Sequence, residues 1–169
     1  MVFDRACESS TEDIVIGFAG DVLLHTSLQI QALRDHSDGV EGFRNLWQHQ
    51  RPIMHRVDYM TANFEGPSAP GVNYQGELQD YDIPESLSYC NETYARGTCD
   101  YRTSTATAAN GGMRFNFHPY SIKALVQDNV RLVSLANNHA LDKGEAGAEQ
   151  TLEMMQREDM QVAGLSALG

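Results

Sequence analysis

Apolar positions fall into short runs separated by polar stops, and the stops carry the residues of chemical interest. Ile14-Val15-Ile16-Gly17-Phe18-Ala19 is an unbroken apolar run halted by Gly20-Asp21, the pattern of a short buried strand. Two helical stretches are expected next, near residues 27–35 and 41–56. In the second, Phe43, Leu46, Trp47, Ile53 and Met54 make an imperfect helical stripe that Pro52 interrupts. A second strand is expected over 57–64, ending at Glu65-Gly66-Pro67.

Residues 68–112 differ in kind: they are rich in Gly, Ser, Thr, Asn and Tyr and hold no sustained period. A loop of that length is uncommon inside a domain, so the stretch reads as an insertion or lid with partial order at best. Beyond it, Pro119 is placed to open a helix through 121–126. Residues 130–135 form a third strand entering a polar loop. A helix is expected near 146–158, with Ala148, Leu152, Met154 and Met155 inward, and Val162-Ala163 begins another strand. Strand and helix alternating in this order predict βαβ units with parallel strands, an α/β fold. No internal repeat is visible.

Composition narrows the function classes. The chain has 169 residues, 41% of them hydrophobic, which suits one domain. No run approaches the roughly 18 apolar residues of a membrane span. The N-terminus lacks the basic region and apolar core of a signal peptide, so the chain is either cytosolic or preceded by a removed leader. Residues 1–12 are polar and read as a disordered segment. The net charge is −11, and the few basic residues do not cluster, which argues against nucleic acid as a partner. The three cysteines, Cys7, Cys90 and Cys99, contain no C-x-x-C pair. Cys90 and Cys99 either close a small disulfide loop or remain free thiols.

The candidate chemistry lies where the strands end. Gly20-Asp21, Asn63-Phe64-Glu65 and Asn137-Asn138-His139 each follow an expected strand. Ligands of open α/β sheets bind beyond the carboxyl ends of parallel strands, so these clusters would lie side by side. Two carboxylates, a carboxamide oxygen and an imidazole suit manganese, iron or zinc better than calcium. His139 would protonate a leaving group, with Asp142 either orienting it or standing as a plain turn residue. His25 borders the site through its nearness to Asp21. Each residue also has a duller role. Asp21 suits a helix cap, Asn63 and Asn138 suit turns, and His139 suits a structural histidine.

Three segments resemble the CapA family. They are Gly20-Asp21-Val22-Leu23-Leu24, Ala62-Asn63-Phe64-Glu65-Gly66-Pro67 and the stretch Leu135-Ala136-Asn137-Asn138-His139-Ala140-Leu141-Asp142-Lys143-Gly144. That family is associated with poly-gamma-glutamate capsule synthesis and belongs to the calcineurin-like metallophosphoesterase superfamily. The resemblance implies an α/β/β/α sandwich of which residues 13–169 are the N-terminal portion. It implies Asp21, Glu65 and Asn138 as ligands of divalent metal ions, two in a complete domain, and His139 as proton donor. Asn63, Asn137 and His25 then fall to substrate binding. An anionic polymer or phosphate-containing substrate, capsule-synthesis membrane proteins as partners and an outward-facing cell-envelope location follow from the same resemblance. The superfamily completes its site with later histidines in a Gly-His-x-His-like element, which does not occur before Gly169. A partial chain is therefore expected, with a minimal inactive homologue as the alternative. Three readings compete: a metal-dependent hydrolase or transferase, a non-catalytic component of polymer assembly or export, and a plain α/β domain.

Overall fold

The computed structural model describes residues 14–35, 39–72 and 114–166. Its elements in chain order are β1 (Ile16–Val22), α1 (Thr26–Asp35), α2 (Gly39–Leu46), α3 (Arg51–Met54), β2 (Tyr59–Phe64), α4 (Tyr120–Gln127), β3 (Val130–Ser134), α5 (Gly144–Arg157) and β4 (Gln161–Ala163). The strands form one sheet in the order β1-β2-β3-β4, and every neighbouring pair is parallel. Among the described residues there is one sheet, and the segment expected at 1–12 and all three cysteines lie outside them.

Each strand is short, and its burial pattern shows which face carries the core. On β2, Met60, Ala62 and Phe64 are buried while Tyr59, Thr61 and Asn63 are only partly covered. That period of two places one set under the helices and the other on the open side. Phe43, Phe64, Phe117, Ile122, Val133, Leu135 and Met155 meet in the core beneath the sheet. Helices α1 and α2 approach closely because Gly42 has no side chain; a Cβ there would lie 1.8 Å from the Ala32 carbonyl oxygen. At the end of α4, Asn129 takes φ 72° and donates through Nδ2 to the Met54 and Val57 carbonyls, both at 2.9 Å. Asn tolerates that left-handed backbone better than most residues, and its amide ties α4 to the end of α3.

A buried polar cluster fixes the same corner. Asp128 is fully buried; its Oδ1 accepts from Arg44 at 2.8 Å and its Oδ2 from the Trp47 indole N–H at 2.7 Å. Arg51 Nε lies 3.1 Å from the same carboxylate, and Glu41 balances Arg44 at 2.7 Å. Burial pushes the Asp128 carboxyl up, but hydrogen bonds from Arg44, Trp47 and His55 outweigh it and hold the group below its ordinary value. A buried charge persists when it is paired and hydrogen-bonded in this way.

Four expectations change against the structure. The first strand is not stopped by Gly20-Asp21 but runs to Val22, and it is not buried. Ile16 is 53% and Phe18 80% exposed, because β1 is the edge strand and the helices cover only one face. The continuous apolar run is what a strand covered on both faces carries. The helix expected over 41–56 is two helices: α2 starts at Gly39, and the turn 47–50 leads into α3, whose first turn holds Pro52. Residues 68–72, placed at the start of the insertion, are all buried. Ser68 N–H donates to Thr151 Oγ1 at 2.9 Å and Gly71 N–H to Gln150 Oε1 at 2.8 Å, both on α5. The remaining expected insertion, 73–112, lies outside the described residues. Finally, Asp21 caps no helix, since it sits within β1 and α1 begins at Thr26.

Candidate active site at the strand ends

A β-bulge aims the first carboxylate. Phe18 pairs with Thr61 and Asp21 with Asn63, so two residues of β1, Ala19 and Gly20, oppose the single Ala62 of β2. Residues three apart on a regular strand face opposite sides; the extra residue turns Asp21 onto the open face that Phe18 occupies. There Asn63 Nδ2 donates to Asp21 Oδ1 at 2.8 Å.

Glu65 follows β2 directly, its N–H donating to the Val22 carbonyl at 3.2 Å. That bond holds the second carboxyl beside the end of β1. The Glu65 carboxyl is pushed above its ordinary value, first by desolvation and then by a hydrogen bond and like charge from Asp21, with His139 opposing. Two neighbouring carboxyl groups disfavour each other's ionisation.

The third strand end supplies the imidazole. After β3 the chain turns at Asn137, whose Nδ2 donates to Asn63 Oδ1 at 3.1 Å and to the Phe64 carbonyl at 3.0 Å. Asn137 Oδ1 accepts from the His139 N–H at 3.1 Å. His139 Nδ1 then lies 2.9 Å from Asp142 Oδ2, with the two side chains 18% and 11% exposed. This partly buried contact engages Nδ1, the arrangement by which a carboxylate fixes an imidazole's tautomer. The same Asp142 oxygen accepts from the Phe115 N–H at 2.6 Å. The Phe115 ring packs edge-on to His139 at 4.5 Å and edge-on to His25 at 5.4 Å.

The structure thus gathers Asp21, Asn63, Glu65, Asn137, His139 and Asp142, with His25 one ring away behind Phe115. Asn138 is exposed and makes none of the hydrogen bonds that tie its neighbours Asn137 and His139 to the site. Among the described residues, no three His, Cys, Asp or Glu side chains gather closely enough to hold a metal ion by themselves. Asp21 and Glu65 come to adjacent strand ends and offer oxygen donors of the kind that suits a divalent cation, and Asn138 is an exposed carboxamide next to His139 in the chain. Phe115 escaped the sequence reading, which assigned nothing to 113–118. Phe115, Asn116, Phe117 and His118 are all buried, and alternating aromatic and polar residues just before Pro119 were the signal that could have found them.

The fold and site define a class: a mixed α/β domain whose parallel sheet carries a polar cluster at its carboxyl edge, compatible with part of a metallophosphoesterase-like fold. Comparison with known proteins is more particular. A family model described as bacterial capsule synthesis protein PGA_cap matches residues 87–168, a stretch that contains Asn137, Asn138, His139 and Asp142 but neither Asp21 nor Glu65. The chain is also 23% identical over 155 residues to the PGA biosynthesis protein CapA of Bacillus subtilis (strain 168). That alignment takes in 92% of this chain and 31% of the relative, so the chain spans about a third of the relative's length. The chain is thus similar over part of its length to the capsule synthesis family model and, at low identity, to one CapA protein.

Proposed function

We propose that the protein serves bacterial capsule biosynthesis at the cell envelope, as an outward-facing component with a metal-dependent hydrolase site at the strand ends. The carrying observation is geometric: Asp21, Glu65 and the His139–Asp142 dyad are gathered at the carboxyl ends of three neighbouring parallel strands, with His139 Nδ1 2.9 Å from Asp142 Oδ2. Asp21, Glu65 and Asn138 would hold a divalent manganese, iron or zinc ion. Such an ion supplies Lewis acidity toward a phosphate or amide oxygen.

The chain's own residues do the rest. Asp142 holds His139 through Nδ1, and protonated Nε2 delivers its proton to the leaving oxygen or nitrogen as the scissile bond breaks. His25 and Phe115 wall the same side. A poly-gamma-glutamate chain or a phosphate-containing substrate is the class of ligand, with capsule-synthesis membrane proteins as partners. The net charge of −11 disfavours a polyanion in the bare cleft, so a bound cation would offset the repulsion there. Among the described residues no helix is long and apolar enough to cross a membrane.

A second reading, a non-catalytic component of polymer assembly, is favoured by the lack of three clustered metal-ligating side chains among the described residues. Hydrolysis of an activated phosphodiester, measured with manganese after chelation and repeated with His139→Ala, separates the two. Metal-dependent turnover that falls about a hundredfold in the variant supports the hydrolase. The absence of both manganese binding and turnover in wild type assigns the protein to the second reading.

A further inference from the structure

We propose that Asn63 and Asn137 are positioning residues, a hydrogen-bonded ladder that carries the geometry of the third strand end across to Asp21, and not contacts for substrate. Asn137 is anchored by two backbone groups of opposite kind: the Phe64 carbonyl accepts from its Nδ2 at 3.0 Å, and the His139 N–H donates to its Oδ1 at 3.1 Å. A carbonyl cannot donate and an amide N–H cannot accept, so the orientation of the Asn137 carboxamide has one solution.

That solution fixes the next group. Asn137 Nδ2 points its second hydrogen at Asn63 Oδ1, 3.1 Å away. Asn63 must therefore present its nitrogen to Asp21 Oδ1, at 2.8 Å. A flipped Asn63 would set oxygen against oxygen there and nitrogen against nitrogen at Asn137. Both Nδ2 hydrogens of Asn137 are consumed inside the protein, and so are one donor and one acceptor position of Asn63. Little remains to recognise a ligand.

The ladder links three strand ends that packing alone does not align, because β1 reaches the site through a bulge. It pins one oxygen of Asp21, Oδ1, as an acceptor. The reading rests on the proposed cation site for its functional meaning, but the ladder itself exists in the protein without a cation. The two can fail separately.

The test uses side-chain amide resonances of the metal-free protein together with manganese titration of wild type, Asn63→Ala, Asn137→Ala and the double variant. Asn137→Asp serves as a shape-preserving second variant that keeps the acceptor for His139 N–H but has no donor for Asn63. Both Asn137 variants are expected to shift the Asn63 amide pair in the metal-free protein. Asn63→Ala should weaken manganese binding roughly tenfold, the scale of a lost hydrogen bond to a charged group. Asn137→Ala should weaken it less, and the double variant should match Asn63→Ala alone. Unmoved Asn63 resonances in both Asn137 variants, or additive losses in the double variant, would overturn the ladder. If wild type binds no manganese, the proposed cation site falls, and the amide resonances alone decide the ladder.

Discussion

Acid should loosen this fold well above the pH at which its carboxylates titrate, and His118 is the reason. Its side chain is fully buried, stacked 5.7 Å from Phe43, with Nδ1 accepting the Tyr120 N–H at 3.0 Å. Burial pulls its pKa down from 6.5 to about 3. The folded state therefore keeps the ring neutral while the unfolded chain protonates it below 6.5. Stability from this group is complete above that value and is lost as pH falls. Between pH 6.5 and 5 the loss is about 2 kcal/mol, at roughly 1.4 kcal/mol per unit. With a urea slope of about 2 kcal/mol/M, the unfolding midpoint should drop by about 1 M.

His118→Gln supplies the control. It lowers stability at every pH by removing the stacked ring, but it should remove the loss of stability that His118 contributes between pH 6.5 and 5. Glu65 works in the opposite sense. Its raised pKa means the folded state takes up a proton first, so its contribution improves as pH falls, and it does so equally in both proteins. Urea midpoints at half-unit pH intervals measure the difference directly. Parallel pH profiles for wild type and His118→Gln would refute the reasoning.

Two further outcomes follow from packing. Gly42→Ala would press a Cβ to within 1.8 Å of the Ala32 carbonyl oxygen; separating α1 from α2 should cost about 2 kcal/mol or more by thermal unfolding. Asp128→Asn leaves Arg44 and Arg51 beside a neutral group in a buried corner, and should destabilise by about 3 kcal/mol in urea unfolding. The wild-type contribution of Asp128 is present above the unfolded carboxyl pKa and disappears as pH falls through its depressed folded value.

Much of the fold was legible because each strand is a distinct apolar run ended by a polar stop. Residues 57–64 and 130–135 became β2 and β3, Pro119 opened α4, and the parallel order followed from alternation. What misled was the meaning of an apolar run. Ile14 to Ala19 reads as buried, yet Phe18 faces outward at the sheet edge, since periodicity does not say how many faces are covered. The bulge at Ala19-Gly20 was also hidden, because register is a property of two strands and not of one. At the site, the clustering of strand ends was readable from sequence. The ladder through Asn63 and Asn137 was not, nor was Phe115 between His25 and His139, for those contacts join residues 24 to 90 positions apart.

The proposed function stands or falls on the Asp21–Glu65 pair at the strand ends holding a cation. Calorimetric titration of the chelator-treated protein with manganese tests it most directly, run beside Asp21→Asn, Glu65→Gln and the distant surface control Arg131→Gln. One saturable site in wild type and the control, lost in both carboxylate variants, is the predicted result. No saturable binding in wild type, or binding unchanged in Asp21→Asn and Glu65→Gln, would contradict it.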